Sequence, residues 1–474
     1  MDKFKILIMT SNLTKLTTFL LLLGMVLVNN GCKNDTDTNG NDTSVKKVSD
    51  YPNEAVYEWN ELFLKIERYA AGYRPGPAPT ALAYMGFALY EASAPGFSEY
   101  KSIQNHFPEI TIPKIEDGKE YHWPTVVNAV YGTMMPRFFV DQPQEHKGWM
   151  TTLDARLLKK YRDEASDEVI ERSRKRGQEV GEAVWKWFTS DIVAYNHYKD
   201  PFQGYDWQAN YKKEGDWKPT PPGPNKPMGG VYGKCRTFVL QGNAEKTARK
   251  PLPYSTDKNS PYYGQAYEVI TRNNSLEAEE DQWVGEFWSD DLLNQTFSPG
   301  PRWIAIGDQV LKNENSNLET AIAMNAKVGI ALHEAAVACW YSKYYYNVER
   351  PQTFINKYMD PTWISSLIYA ENKWVGFTPP FPAYPSGHST MGAAGAEALG
   401  SIFGYAYGMT DYCHQGRAEF NGTPRTFGSF FEMAQENAWS RVPLGVHWRM
   451  DCEEGVRFGT EIARKMNSRI PWKG

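Results

Sequence analysis

Three short segments carry side chains that could act together on an anion. In the first, Lys343 is followed seven residues later by Arg350-Pro351. Two helical turns would set both cations on one face about 10 Å apart, with Pro351 ending the helix and Arg350 at its tip. The second is Pro385-Ser386-Gly387-His388, directly ahead of a small, apolar helical stretch. Backbone N–H groups at a helix N-terminus favour anions. Ser386 adds a hydroxyl, Gly387 lets the backbone approach closely, and His388 brings a titratable ring to the same spot. The third segment is Ser440-Arg441, then His447 and Asp451. The four-residue spacing puts imidazole and carboxylate on one helical face. There Asp451 can accept the Nδ1 proton and leave Nε2 with its lone pair, which prepares a nucleophilic or ligating imidazole.

Alone, each segment is ordinary: a solvated cationic face, a turn, a surface His–Asp pair. Together they supply three cations, two of the eight histidines in the chain, a helix N-terminus and an orienting carboxylate. That set describes a pocket for a tetrahedral oxyanion, with His447 bonding its central atom.

The elements that must position these groups read as helices. Residues 53–73 carry Val56, Trp59, Phe63 and Ile66 at helical spacing. Further helices are expected over 80–94, 121–139 and 166–188, the last with Val169, Ser173, Val180, Val184 and Trp187 near one face. Residues 200–265 are rich in Pro, Gly and Tyr. They form a long irregular region that serves either as a lid or as plain covering. Helices return over 317–346, 389–404, 430–440 and 446–466. Few stretches alternate, so the fold expected is all-α. A catalytic helical bundle over 317–474 packs on an N-terminal helical region over 53–316 with long Pro/Gly-rich loops.

The remaining features bound the context. The chain has 474 residues, a formal charge of −5 and 41% hydrophobic residues. A mildly acidic chain lacks the basic footprint of nucleic-acid binding. Residues 1–31 combine Lys3, Lys5 and Lys15 with the apolar run 16–28 and Gly31-Cys32, which reads as a lipoprotein-type signal peptide. Residues 32–52 then form a flexible tether. The expectation is an exported chain, held at the outer membrane or cell surface by a lipid on Cys32 or otherwise periplasmic. Cys235, Cys339, Cys413 and Cys452 have no metal-ligand spacing; Cys413 with Cys452 is either a disulfide pair or two structural thiols.

Lys343-x6-Arg350-Pro351, Pro385-Ser386-Gly387-His388 and Ser440-Arg441-x5-His447-x3-Asp451 resemble the signature shared by type 2 phosphatidic acid phosphatases and vanadium-dependent haloperoxidases. The resemblance covers roughly residues 317–466, and no signature position departs. It implies a cofactor site of Lys343, Arg350, Ser386, Gly387, His388, Arg441 and His447. In it the cations, the Ser386 hydroxyl and the Gly387 N–H hold oxygens, and His447 bonds vanadium or phosphorus. His388 is the acid–base group, and Asp451 holds His447.

Several features favour the haloperoxidase branch. Trp340 and Phe381 are similar to the aromatic residues of its halide pocket. The segments 217–223, 232–240, Arg74-Pro75-Gly76-Pro77, Phe287-Trp288 and Pro299-Gly300-Pro301 resemble bacterial members. The resemblance is greatest to vanadium iodoperoxidases of marine Bacteroidetes. It implies vanadate as cofactor, with hydrogen peroxide and a halide as reactants: iodide first, bromide second. The alternatives are an exported acid phosphatase acting through a phosphohistidine, and a non-catalytic surface binder that keeps an anion site.

Overall fold

The computed structural model describes residues 45–70, 74–221, 223–274, 278–290, 294–369, 374–417 and 421–473. The expected signal peptide, Cys32 and most of the expected tether lie outside these residues. Residues Val45–Gly474 make up one compact unit.

Its organising element is a helix that is apolar on every side. The sequence from Leu318 to Tyr346 is rich in Ala, Ile and Val, and 24 of its 29 residues are buried. Only a core helix can be apolar all round in a water-facing fold. This is the one described helix long and apolar enough to cross a membrane, and its apolar window is wholly covered by protein. Asn317 caps it, its side chain accepting from the Thr320 N–H at 3.0 Å.

The helices in chain order are α1 Glu54–Glu67, α2 Pro77–Ser93, α3 Trp123–Phe138, α4 Gln144–Tyr161, α5 Asp167–Ser190, α6 Ile192–Lys199, α7 Trp207–Asn210, α8 Gly242–Glu245 and α9 Pro261–Asn274. There follow α10 Ala278–Phe287, α11 Arg302–Asn313, α12 Leu318–Tyr346, α13 Pro351–Tyr358, α14 Gly387–Phe403, α15 Phe430–Trp439 and α16 Arg449–Arg469. Two antiparallel ribbons, Ile368–Tyr369 with Trp374–Val375 and Met409–Asp411 with Arg425–Phe427, are the sheet among the described residues. The all-α expectation holds.

Helix α12 packs on α2 along one side and on α14 along another. Small residues allow both contacts. A Cβ on Gly86 would meet the Asn325 carbonyl at 2.7 Å, and one on Gly329 would meet the Leu82 carbonyl at 2.6 Å. Through α12 the N-terminal helices and the C-terminal bundle share one core. The predicted face of α5 is the buried one, with Val169, Ser173, Val180, Val184 and Trp187 inside. In the N-terminal half, the Arg74 guanidinium donates to the Asp290 carbonyl at 2.7 Å. That contact ties Arg74-Pro75-Gly76-Pro77 to the segment after Phe287-Trp288.

Helix α14 is seated on α16 by two glycines one turn apart. A Cβ on Gly455 would meet the Ser389 Cβ at 2.6 Å, and one on Gly459 would collide with the Thr390 carbonyl oxygen. Gly459→Ala is therefore expected to force the helices apart and cost about 1–3 kcal/mol, as over-packing a tight contact does. Denaturant unfolding of the variant and the parent measures it; an unchanged midpoint would show that the contact yields freely.

Residues 200–221 and 223–260, irregular apart from α7 and α8, run as a strap over the C-terminal end of α12. The Trp217 N–H donates to the Asn347 carbonyl at 2.7 Å, and the Met228 N–H donates to the Pro380 carbonyl at 2.8 Å. Cys235, Cys339, Cys413 and Cys452 are free thiols, so the Cys413–Cys452 bridge is not formed. Cys413 lies beside Gln309 and Asp411, whereas Cys452 belongs to the core around Trp448 and Phe458.

Candidate active site

Two expected placements are corrected first. Lys343 and Arg350 do not share a helix. Asn347 adopts φ 53° and ends α12, after which Arg350 stands in extended backbone as the N-cap of α13. Pro351 opens that helix instead of ending the previous one, because a proline at the first helical position lacks only an N–H that would be unpaired anyway. Likewise His447 is not on a helix with Asp451. It precedes α16, with Trp448 as N-cap and Asp451 in the first turn.

The corrected geometry still brings the signature together. Lys343 lies in the last turn of α12, and its ammonium donates to the carbonyls of Pro382 and Ala383 at 2.9 and 2.8 Å. The Arg350 guanidinium donates through Nε to the Phe381 carbonyl at 3.0 Å and through Nη1 to the Val446 carbonyl at 2.8 Å. The proline-rich loop 379–385 thus presents carbonyls that hold both cations in place.

Nη1 of Arg350 also lies 3.1 Å from Nε2 of His447. A guanidinium has donors only, so Nε2 is the acceptor and carries the lone pair. On the other side of the ring, Nδ1 donates to Asp451 Oδ2 at 2.8 Å. The same carboxylate oxygen accepts from the Trp448 N–H at 3.1 Å. The tautomer is set from both sides, as the sequence analysis required.

Ser386, Gly387 and His388 begin α14. Ser386 Oγ caps the helix by accepting from the Ser389 N–H at 3.4 Å, and its own N–H donates to the Asp451 carbonyl at 2.9 Å. The start of α14 is thereby hydrogen-bonded to the backbone of the residue whose carboxylate orients His447. Gly387 is cradled by Trp340: a Cβ there would meet the indole at 3.2 Å. Trp340 and Phe381 stand with ring centroids 5.1 Å apart. The Lys343 ammonium lies 5.1 Å from the Phe381 ring and the Arg350 guanidinium 5.0 Å from it.

Asn437 was not singled out from sequence. Its side chain donates to the His388 carbonyl at 3.2 Å and so fixes the start of α14 against α15. No short motif marks such a contact. The Gly455-x3-Gly459 spacing that seats α16 on α14 was likewise not singled out.

Lys343, Arg350, Ser386, Gly387, His388, Arg441, His447 and Asp451 are all buried. Burial, followed by the charges of Arg350, Lys343, Arg441 and His388, holds the His447 pKa well below its usual value, so the ring is neutral. Burial brings Lys343 down to about 7 and lifts Asp451 to about 7. Three basic side chains and one carboxylate around a neutral imidazole make a dry, electropositive setting that suits an oxyanion. Among the described residues no group of three or more His, Cys, Asp or Glu is placed to hold a metal cation. The donor set fits tetrahedral oxygens.

An anion beside Lys343 stabilises its protonated form, and one beside Asp451 disfavours the carboxylate. Both effects link anion binding to proton uptake. Affinity for a phosphate or vanadate probe is therefore expected to be greatest below pH 7. It should fall by up to about tenfold per pH unit above that for each of the two groups. Calorimetric titrations from pH 6 to 9 test this; affinity that rises with pH would contradict it.

Several known proteins resemble this chain. Residues 323–471 match the family profile described as the VCPO second helical-bundle domain. The vanadium chloroperoxidase of Curvularia inaequalis is 27% identical over 292 residues, which are 49% of this chain and 48% of that protein. The chain thus spans about half the length of the curated relative it matches. Among solved structures, a bacterial vanadium-dependent iodoperoxidase aligns with a TM-score of 0.78 at 24% identity, over 90% of this chain and 98% of that one. A holo-type bacterial vanadium-dependent chloroperoxidase aligns at 0.62 and 14% identity, over 84% and 93%.

The helical architecture is the bundle fold of these haloperoxidase structures. In fold and in its C-terminal bundle the chain is similar to vanadium-dependent haloperoxidases.

Proposed function

We propose that this chain is a vanadate-dependent haloperoxidase that uses hydrogen peroxide to oxidise iodide. One observation carries the reading: a neutral His447, its Nδ1 held by Asp451 and its Nε2 carrying the lone pair, set among buried Lys343, Arg350 and Arg441. Vanadate, when bound, supplies an electrophilic centre that activates peroxide toward a halide.

The chain's own residues do the rest. His447 Nε2 would provide the bond to the central atom, and Asp451 keeps its proton on Nδ1. Lys343, Arg350 and Arg441, with the Ser386 hydroxyl and the Gly387 N–H, neutralise the oxygens. His388 accepts and returns the proton that peroxide loses. Trp340 and Phe381 line a water-poor wall for a large, weakly hydrated halide. Iodide is the halide assigned because it is the easiest to oxidise and because the iodoperoxidase alignment is the fuller one; bromide is the second.

The test is to load the purified protein with vanadate and add peroxide and iodide. Triiodide formation is expected. No triiodide, together with phosphomonoester cleavage that vanadate inhibits, would replace this reading with a phosphatase acting through a phosphohistidine at His447. From the N-terminal lysines, the apolar run 16–28 and Gly31-Cys32 we further propose that the chain is exported and carries a lipid on Cys32. Labelled fatty acid should enter the wild type and not Cys32→Ser.

A further inference from the structure

Trp340 has two sides. One side backs the anion loop, meeting Gly387 and Phe381. The other forms part of a surface cleft of about 250 Å³, lined besides by Tyr205, Tyr341, Tyr344 and Tyr345. The phenols of this cleft differ. Tyr344 donates its hydroxyl to the Met228 carbonyl at 2.6 Å, and Tyr205 donates to Asn347 Oδ1 at 3.3 Å. Their rings pack 4.4 Å apart. Tyr341 lies under the Lys246 ammonium, 5.2 Å from its ring, which draws electron density from it. Tyr345 stacks on Tyr341 at 6.0 Å and is 63% exposed. An open, electron-rich phenol therefore stands at the rim of a cleft whose wall is the indole beside the site.

We propose that Tyr345 is a built-in aromatic acceptor, iodinated on its ring by oxidised iodine that leaves the site past Trp340. This rests on the haloperoxidase reading. Peroxide, iodide and one proton give hypoiodous acid and water. The ring carbon ortho to the Tyr345 oxygen then bonds iodine as the I–O bond breaks. The departing hydroxide takes up the displaced ring proton, giving iodotyrosine and water. The carbon is oxidised as iodine goes from +1 to −1.

Tyr267 is a built-in control, because it is 64% exposed and does not line this cleft. Vanadate-loaded protein is given iodide and limiting peroxide, with excess N-acetyltyrosinamide to intercept iodine in bulk solution. Triiodide formation is followed without that scavenger, and the iodine on each tyrosine peptide is measured by mass spectrometry. Release at the cleft raises the local concentration, so Tyr345 should carry at least about tenfold more iodine than Tyr267. In a second arm with added hypoiodite and no peroxide, the two should label alike. Tyr345→Phe should lose the label and keep the triiodide rate. Equal labelling under turnover, or the same Tyr345 preference with added hypoiodite, would overturn the proposal and leave triiodide formation, and so the haloperoxidase reading, standing. No label and no triiodide would overturn both.

Discussion

His447→Ala is expected to remove vanadate from the protein and abolish peroxide-dependent iodide oxidation. On the proposed reading the ring would supply the protein's only bond to the central atom, and the surroundings suit that role. Asp451 Oδ2 takes the Nδ1 proton at 2.8 Å, and burial with the neighbouring cations keeps the ring neutral. Loss of a partner that only orients a ligand costs about 10–100-fold in affinity. Loss of the ligand itself should exceed roughly a hundredfold. The alanine also leaves Asp451 buried without its ring partner, so folding is to be checked by circular dichroism. Equilibrium dialysis against vanadate, wild type beside variant, measures the loss. Retention of vanadate at wild-type affinity would show that another group holds the central atom.

The second large effect separates binding from turnover. His388→Ala should lower the rate of iodide oxidation by roughly 10²–10⁴-fold, the usual contribution of a positioned acid–base group. Vanadate affinity should stay within a few-fold of wild type. The structure makes this a clean substitution. Asn437 holds the His388 backbone carbonyl at 3.2 Å, not its ring, so α14 keeps its start. Ser386 still caps the helix. A rate loss with retained vanadate supports the assignment; full activity in the variant would refute it.

Much of the site was legible because its chemistry is tied to short spacings. Lys343, Arg350, Ser386, Gly387, His388, Arg441, His447 and Asp451 lie together, although the segments are far apart in sequence. Their backbone settings were less legible. Pro351 reads equally as the end of one helix or the first residue of the next. The left-handed Asn347 decides it by ending α12 before Arg350. His447 to Asp451 fits a helical spacing, yet a histidine just ahead of a helix also reaches a carboxylate in its first turn.

Helices with a clear apolar face, such as α5, were readable within a few residues. Helices α4, α6, α9, α10, α11 and α13 were missed; in α4, α9 and α13 a few buried residues in a polar or aromatic stretch leave little periodicity, whereas α11 has a buried apolar face that was passed over. The carbonyls that seat Lys343 and Arg350 belong to the backbone of 381–383 and 446, so no residue type announces them.

The most direct test of the central claim is the vanadium content of the wild-type protein and of His447→Ala, after loading with vanadate and exhaustive dialysis. The account predicts about one vanadium per chain in the wild type, displaced by excess phosphate, and essentially none in the variant. A wild type that retains no vanadium, or a variant that retains as much as the wild type, would contradict it.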